Sequence, residues 1–228
     1  MATLQERVQR AVREDVGIAS YDRRWPILFQ REAAHLRACI PGGLILRIEH
    51  FGSTAVSGLA AKPVVDILIQ VSSLRAARTE IAPILVSQGY DYFWRPSFGD
   101  DVPPWYAFFI RRDRRGVRTH HLHMVTSRPT FREHWERLLF RDYLIAHPRT
   151  ARAYERLKRD LAAAHPNDRV AYTNGKTAFI EQVTAEAKES HANVTARKLL
   201  PRPPHRKRSE RGRASGSEGG GSTGCENP

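Results

Sequence analysis

Residues 50–67, His-Phe-Gly-Ser-Thr-Ala-Val-Ser-Gly-Leu-Ala-Ala-Lys-Pro-Val-Val-Asp-Ile, carry the side chains whose types and spacing could do chemistry. Gly52 lets a backbone approach a ligand closely, and Ser53 and Thr54 place hydroxyls and N–H groups at the start of a helical turn, where phosphate binds. The alternative is a capped strand-to-helix turn that holds no ligand. Asp66 stands among Val64, Val65, Ile67, Leu68 and Ile69. An acid in such a run is costly unless it is paired, metal-bound or placed beside a cleft. Lys62, four residues earlier, could pair with Asp66 or contact a substrate phosphate.

His121 and His123 alternate along a second apolar segment, so both rings point to one face and His120 to the other. Paired imidazoles can bind a metal, contact phosphate, accept a proton, or pack in a hydrogen-bonded core. Arg118 and Arg141 can clamp phosphate through bidentate hydrogen bonds, although Arg141 can equally pair with its neighbour Asp142. Lys158 and Lys176, taken singly, read as solvated helix positions. Glu49, just before the turn, is a further candidate acid but reads first as a solvated strand residue, and the aromatic stretches 90–94 and 105–109 read as core before base-stacking surface.

The elements that must position these groups follow from periodicity. Pro26 opens a helix with Phe29, Ala33, Leu36 and Ile40 on one face, and Pro41-Gly42-Gly43 ends it. Strands are expected over 44–50, 64–71, 90–94, 105–111 and 117–125, the last two forming a hairpin with Gly116 near its turn. Ser72 or Ser73 caps a helix that ends at Gly89. From Thr130 the chain turns helical, with Thr130 and Glu133 as a capping box and Pro148 closing that helix. Further helices are expected over 151–164 and 168–189. The order is that of an α+β fold: a mixed β-sheet with flanking helices and a C-terminal helical lobe.

Bulk properties bound the function. The chain has 228 residues and a formal charge of +13, with eight Lys/Arg against three Glu from His191 onward. A body over 1–190 with a basic Pro/Gly/Ser-rich tail over 191–228 is expected, the tail disordered for want of apolar residues. A basic body favours nucleotides, phosphorylated small molecules or nucleic acid; in the tail, Arg206-Lys207-Arg208 could touch RNA or an acidic surface, against the simpler reading of a solvated tail. No apolar run approaches the roughly 18 residues of a membrane span, and the first residues lack a signal peptide's apolar region. Cys39 and Cys225 make no metal spacing or disulfide framework, so a cytoplasmic protein is expected.

The run 48–67 resembles the signature of the GrpB family, which also occurs as the C-terminal domain of some dephospho-CoA kinases. The resemblance extends to Tyr21-Asp22 with Trp25-Pro26, to Arg118-Thr-His-His-Leu-His, to Phe140-Arg-Asp-Tyr-Leu with His147-Pro148, and to Tyr154, Leu157-Lys158, Tyr172 and Lys176. It spans roughly residues 20–183; Ser57 stands where a proline is expected. The family in turn resembles the DNA polymerase β-like nucleotidyltransferases. Phe51-Gly52-Ser53, a spacer of 12 residues and Asp66 fit their pattern. The resemblance implies a nucleotidyltransferase-like sheet and transfer of a nucleotidyl group from a nucleoside triphosphate to a small acceptor, with Mg²⁺ on Asp66 and His123 as a further ligand. Asp66, His121 and His123 would be catalytic, and Gly52, Ser53, Thr54, Lys62, Arg118 and Arg141 would bind phosphate. The pattern's second acid falls at position 68, which is Leu68. That departure leaves open a module that binds nucleotide or coenzyme, or stabilises a partner, without catalysis.

Overall fold

The computed structural model describes residues 16–97 and 102–199, preceded by residues 3, 5, 6, 8 and 9. Helix α1 (Arg24–Cys39) leads into β1 (Ile45–Phe51), a single 3₁₀ turn (Ser53–Ala55) and β2 (Val65–Val71). A helical stretch follows as α2 (Leu74–Ala76), a π-helical segment (Ala77–Ile81) and α3 (Ala82–Ser87). Its first turn is capped by Ser73, whose hydroxyl accepts from the Ala76 N–H. Strands β3 (Asp91–Pro96), β4 (Trp105–Arg112) and β5 (Arg118–Val125) complete the sheet. The C-terminal helices are α4 (Arg132–Ala146), α5 (Pro148–Ala164), α6 (Arg169–Asn174) and α7 (Thr177–Leu199).

The five strands lie in the order β1-β2-β5-β4-β3. Among the described residues only the β2–β5 pair is parallel, so the sheet is mixed and the fold is α+β. Period-two alternation gives this sheet two different faces. One carries Val65, Ile67 and Ile69 of β2, Leu122 and Met124 of β5, and Ala107 and Phe109 of β4. These pack on Ala33, Leu36 and Ile40 from the α1 segment and on Ala77, Ile81 and Leu85. The other carries Leu68, Phe51, Tyr106, Phe108 and Phe93 under Phe131 and Leu138. Asp66, His121 and His123 share that second face by alternation. A third cluster joins Val56 and Leu59, just after the turn, to Phe140, Leu144, Tyr154 and Val183. The helical lobe is thereby seated over the Gly-Ser turn.

Three expectations are corrected. The Thr130–Glu133 capping box does not form: Pro129–Phe131 is a 3₁₀ turn, and α4 starts at Arg132 with no side-chain cap. Pro129 fixes that turn, and Phe131 is drawn into the sheet-face core, so Thr130 lies inside the turn instead of ahead of the helix. The helix expected over 168–189 is two helices, separated at Gly175-Lys176. The second of them runs past Ser190 to Leu199, and the tail from residue 200 onward, with Arg206-Lys207-Arg208, lies outside the described residues. Among the described residues no helix is long and apolar enough to cross a membrane.

Candidate functional site

Phe51, the last residue of β1, lies opposite Asp66 in the ladder, so the turn that follows folds over the carboxylate. Gly52 makes this possible. Its φ is 74°, and a Cβ there would lie 2.6 Å from Asp66 Oδ2. The close approach that glycine permits is therefore to Asp66, not to a ligand. The next three residues form one 3₁₀ turn, too short to supply a helix dipole, which corrects that part of the phosphate-site expectation. The Thr54 hydroxyl is buried and bonded to His50 Nε2 at 3.0 Å, so it too faces inward. Ser53 hydrogen-bonds the Tyr154 phenol on α5. The N–H groups of Ser53 and Thr54 begin the turn and have no partner within it.

Beside this turn three side chains form a chain of hydrogen bonds. Asp66 and His121 are register partners across β2 and β5. His121 Nδ1 lies 2.8 Å from Asp66 Oδ1, and Arg118 Nη1 lies 3.0 Å from His121 Nε2. A guanidinium can only donate, so Nε2 accepts and the ring proton is on Nδ1, donated to Asp66. Burial lowers the His121 pKa, with the Arg118 charge adding to it, so the ring is neutral in this arrangement. Burial pushes the Asp66 carboxyl up, but the His121 hydrogen bond and the charges of Lys176 and Arg137 outweigh it and hold Asp66 ionised. Asp66 thus takes its hydrogen bond from His121, a partner the Lys62 spacing does not anticipate; Lys62 itself is half-buried ahead of β2.

Strict alternation would put Arg118 on the opposite face from His121. Pairing with β4 steps from Arg111↔His120 to Arg112↔Arg118, so β5 carries one extra residue, Thr119. This bulge resets the alternation and brings the guanidinium round to His121.

His123 lies one pleat further along, opposite Leu68. Tyr106 Oη meets its Nδ1 at 3.2 Å, and the Tyr106 ring stacks on it. Burial holds the His123 pKa well below its usual value. One donor atom from each of Asp66, His121 and His123 lies within 4.8 Å of the other two. Leu68 is 0% exposed in the core, so the second carboxylate of the nucleotidyltransferase pattern has no counterpart on β2. Mg²⁺ takes oxygen ligands and is bound through carboxylates and phosphates. Two imidazoles and one carboxylate do not fit it.

Cationic groups from the helical lobe surround this cluster. Lys176 Nζ lies 4.1 Å above the Tyr172 ring, and burial lowers its pKa to about 8. Lys158 is only 2% exposed, donates to the Ala60 carbonyl, and has its pKa lowered by burial to about 7. Both lysines correct the solvated-face expectation. Arg137 of α4 lies over the Phe51 ring, and Arg169 of α6 acts electrostatically on His121 and Lys176. Arg137, Arg169, Tyr106, Tyr154 and Tyr172 are not singled out as site residues by spacing; for the two C-terminal tyrosines only the family resemblance marked the positions.

Arg141 is not part of the cluster. Its Nη1 donates to Glu49 Oε2 at 3.1 Å and to the His50 carbonyl at 2.7 Å, while Nε donates to Asp142 at 2.7 Å. It fastens α4 to β1, and Glu49 is likewise paired instead of solvated. His120 faces the opposite side, bonded to Thr119 Oγ1 at 2.9 Å. Grooves of about 610 and 600 Å³ lie elsewhere, the first beside Leu59 and Arg156 and the second beside Arg47 and Trp135.

The site therefore offers a neutral imidazole oriented by a carboxylate, with several cations around it. Such a set can fix a phosphate-bearing anion and accept a proton beside it.

Comparison with known proteins places the chain among relatives of one family and fold. The profile of the family described as "GrpB protein" matches residues 15–186. The chain is 35% identical over 174 residues to the glutamate-rich protein GrpB of Alkalihalophilus pseudofirmus, covering 75% of this chain and 95% of that one. It is 29% identical to a dephospho-CoA kinase of Mycobacterium bovis, covering 74% of this chain but 45% of the kinase. The crystal structure of a conserved GrpB protein from Enterococcus faecalis superimposes with a TM-score of 0.64 at 30% identity, covering 77% of this chain and 99% of that one.

Proposed function

Since the chain belongs to the GrpB family, we propose that it binds a nucleoside triphosphate at the Asp66–His121–Arg118 site and transfers its nucleotidyl group to a small acceptor. The observation that carries this reading is the chain Arg118→His121→Asp66 lying among Lys176, Arg137 and Arg169. The cations neutralise the triphosphate. Arg118, drawn to a phosphate oxygen, releases His121 Nε2. That nitrogen then takes the proton of the acceptor hydroxyl as its oxygen attacks the α-phosphorus. The bond from the α-phosphorus to the bridging oxygen breaks, and pyrophosphate leaves. Asp66 stabilises the imidazolium that forms.

A second reading is favoured by Leu68: a module that binds the nucleotide without turning it over. A screen of hydroxyl-bearing metabolites for pyrophosphate release separates the two. Binding with no release for any acceptor supports the module, and release supports the enzyme.

The lysine gives nucleotide binding a pH signature. Lys176 is protonated below about pH 8 and loses its charge above it. Affinity for a nucleotide in EDTA is expected to fall roughly tenfold between pH 7 and pH 9, about the 1.4 kcal/mol of one pKa unit. Lys158 titrates near pH 7, so the Lys176→Met variant is the control. Its profile should fall less steeply than the wild type's between pH 8 and 9, since removing the Lys176 charge also lets the Lys158 pKa rise. A wild-type affinity that does not change between pH 7 and 9 would remove Lys176 from the site.

A further inference from the structure

The geometry points to a site for a divalent transition-metal ion, formed by Asp66, His121 and His123 and gated by Arg118. It shares its residues with the proposed nucleotide site but does not require a nucleotide. Two imidazoles and one carboxylate are the donor set of Zn²⁺, Mn²⁺, Fe²⁺ and Co²⁺ sites. Asp66 Oδ1 and His121 Nδ1 are 2.8 Å apart, a small opening short of the roughly 3.0 Å (octahedral) or roughly 3.4 Å (tetrahedral) between adjacent ligands that each lie about 2.1 Å from one ion. His123 supplies a donor within 4.8 Å of both. Its ring is held by Tyr106 at Nδ1, which leaves Nε2 as the ligating atom. Such a fixed outer partner is the usual companion of a metal-bound histidine. The position that the second acid of the nucleotidyltransferase pattern would fill is instead met by His123, the register partner of Leu68.

Arg118 controls access. While its guanidinium donates to His121 Nε2, the ring proton must stay on Nδ1, between the ring and Asp66, where the ion would lie. An ion ligated at Nδ1 displaces that proton. The ring stays neutral by taking it up on Nε2, and an N–H there cannot face the N–H of Arg118. Metal binding and the Arg118–His121 hydrogen bond therefore exclude each other, and a phosphate that draws Arg118 away would open the site.

The test is a Co²⁺ titration of the metal-stripped full chain without nucleotide, read by visible d–d absorption. One saturating equivalent is expected, not displaced by a large excess of Mg²⁺. His123→Gln should weaken binding at least tenfold, and Arg118→Gln should tighten it several-fold. Asp66→Asn should show the same loss as His123→Gln and replaces it if that variant fails to give a cooperative thermal melt. The proposal is overturned if neither wild type nor Arg118→Gln gives a saturable spectrum, or if His123→Gln binds like wild type. Weaker binding in Arg118→Gln would overturn the gate. Because no nucleotide is present, failure here leaves the nucleotide-binding reading to stand or fall by its own titration.

Discussion

Asp66→Asn is expected to reduce nucleotidyl transfer by about 10²- to 10⁴-fold while leaving nucleotide binding in metal-free buffer unchanged or tighter. Asparagine keeps the shape of the side chain under Gly52, so the turn is not strained. It removes the charge that stabilises the His121 imidazolium, and its amide can impose the other tautomer of the ring. Binding moves the opposite way because Asp66 is an ionised carboxylate facing Lys176 and Arg137. Removing it leaves the surrounding cations unopposed toward phosphate. Pyrophosphate release and calorimetry on the same preparations separate the two effects. Parallel loss of binding and turnover would mean that the carboxylate holds the substrate, and the base role assigned to His121 would fall.

Glu32→Ala is expected to have the largest effect on stability and none on nucleotide affinity. Glu32 lies on α1 against the opposite sheet face and is 0% exposed. It accepts from Tyr90 Oη at 2.6 Å and pairs with Arg111 of β4. Alanine leaves the Tyr90 hydroxyl without its acceptor, an arginine without its counter-ion, and a void beneath α1. Breaking one side of a buried pair costs about 3–5 kcal/mol, and the lower figure applies because Arg111 can turn to water. For a chain of this size that is roughly 6–12 °C in melting temperature. Glu32→Gln, which keeps an acceptor for Tyr90, should lose less. A melt of Glu32→Ala within a degree or two of wild type would show that the pair contributes nothing.

What the sequence made legible was local. Alternation placed Asp66 with Leu68 and His121 with His123 on shared faces, because a strand's period leaves no other choice. The Gly-Ser turn was visible, but its role was not. Only the ladder pairing of Phe51 with Asp66 shows that Gly52 makes room for the carboxylate. Arg118 was marked by its chemistry and by the family resemblance, and the bulge at Thr119 that aims it at His121 has no signature in the local pattern. Lys158 and Lys176 looked solvated because charged residues on a helix usually are. Each lysine lies over a tyrosine four residues before it, Tyr154 and Tyr172, and Lys158 is buried against Ala60, which packing brings from 98 residues away. The same reason hides Arg137 and Arg169, and it turned Arg141 from a phosphate clamp into a fastening between α4 and β1.

The most direct measurement is calorimetric titration of the full chain with ATP in EDTA at pH 7, in wild type and Lys176→Met. Saturable binding of one nucleotide is predicted in the wild type, weakened at least tenfold in the variant, since a charge-assisted contact contributes about 1.5–3 kcal/mol. No binding, or equal affinity in the two proteins, would contradict a phosphate site at Asp66, His121 and Lys176.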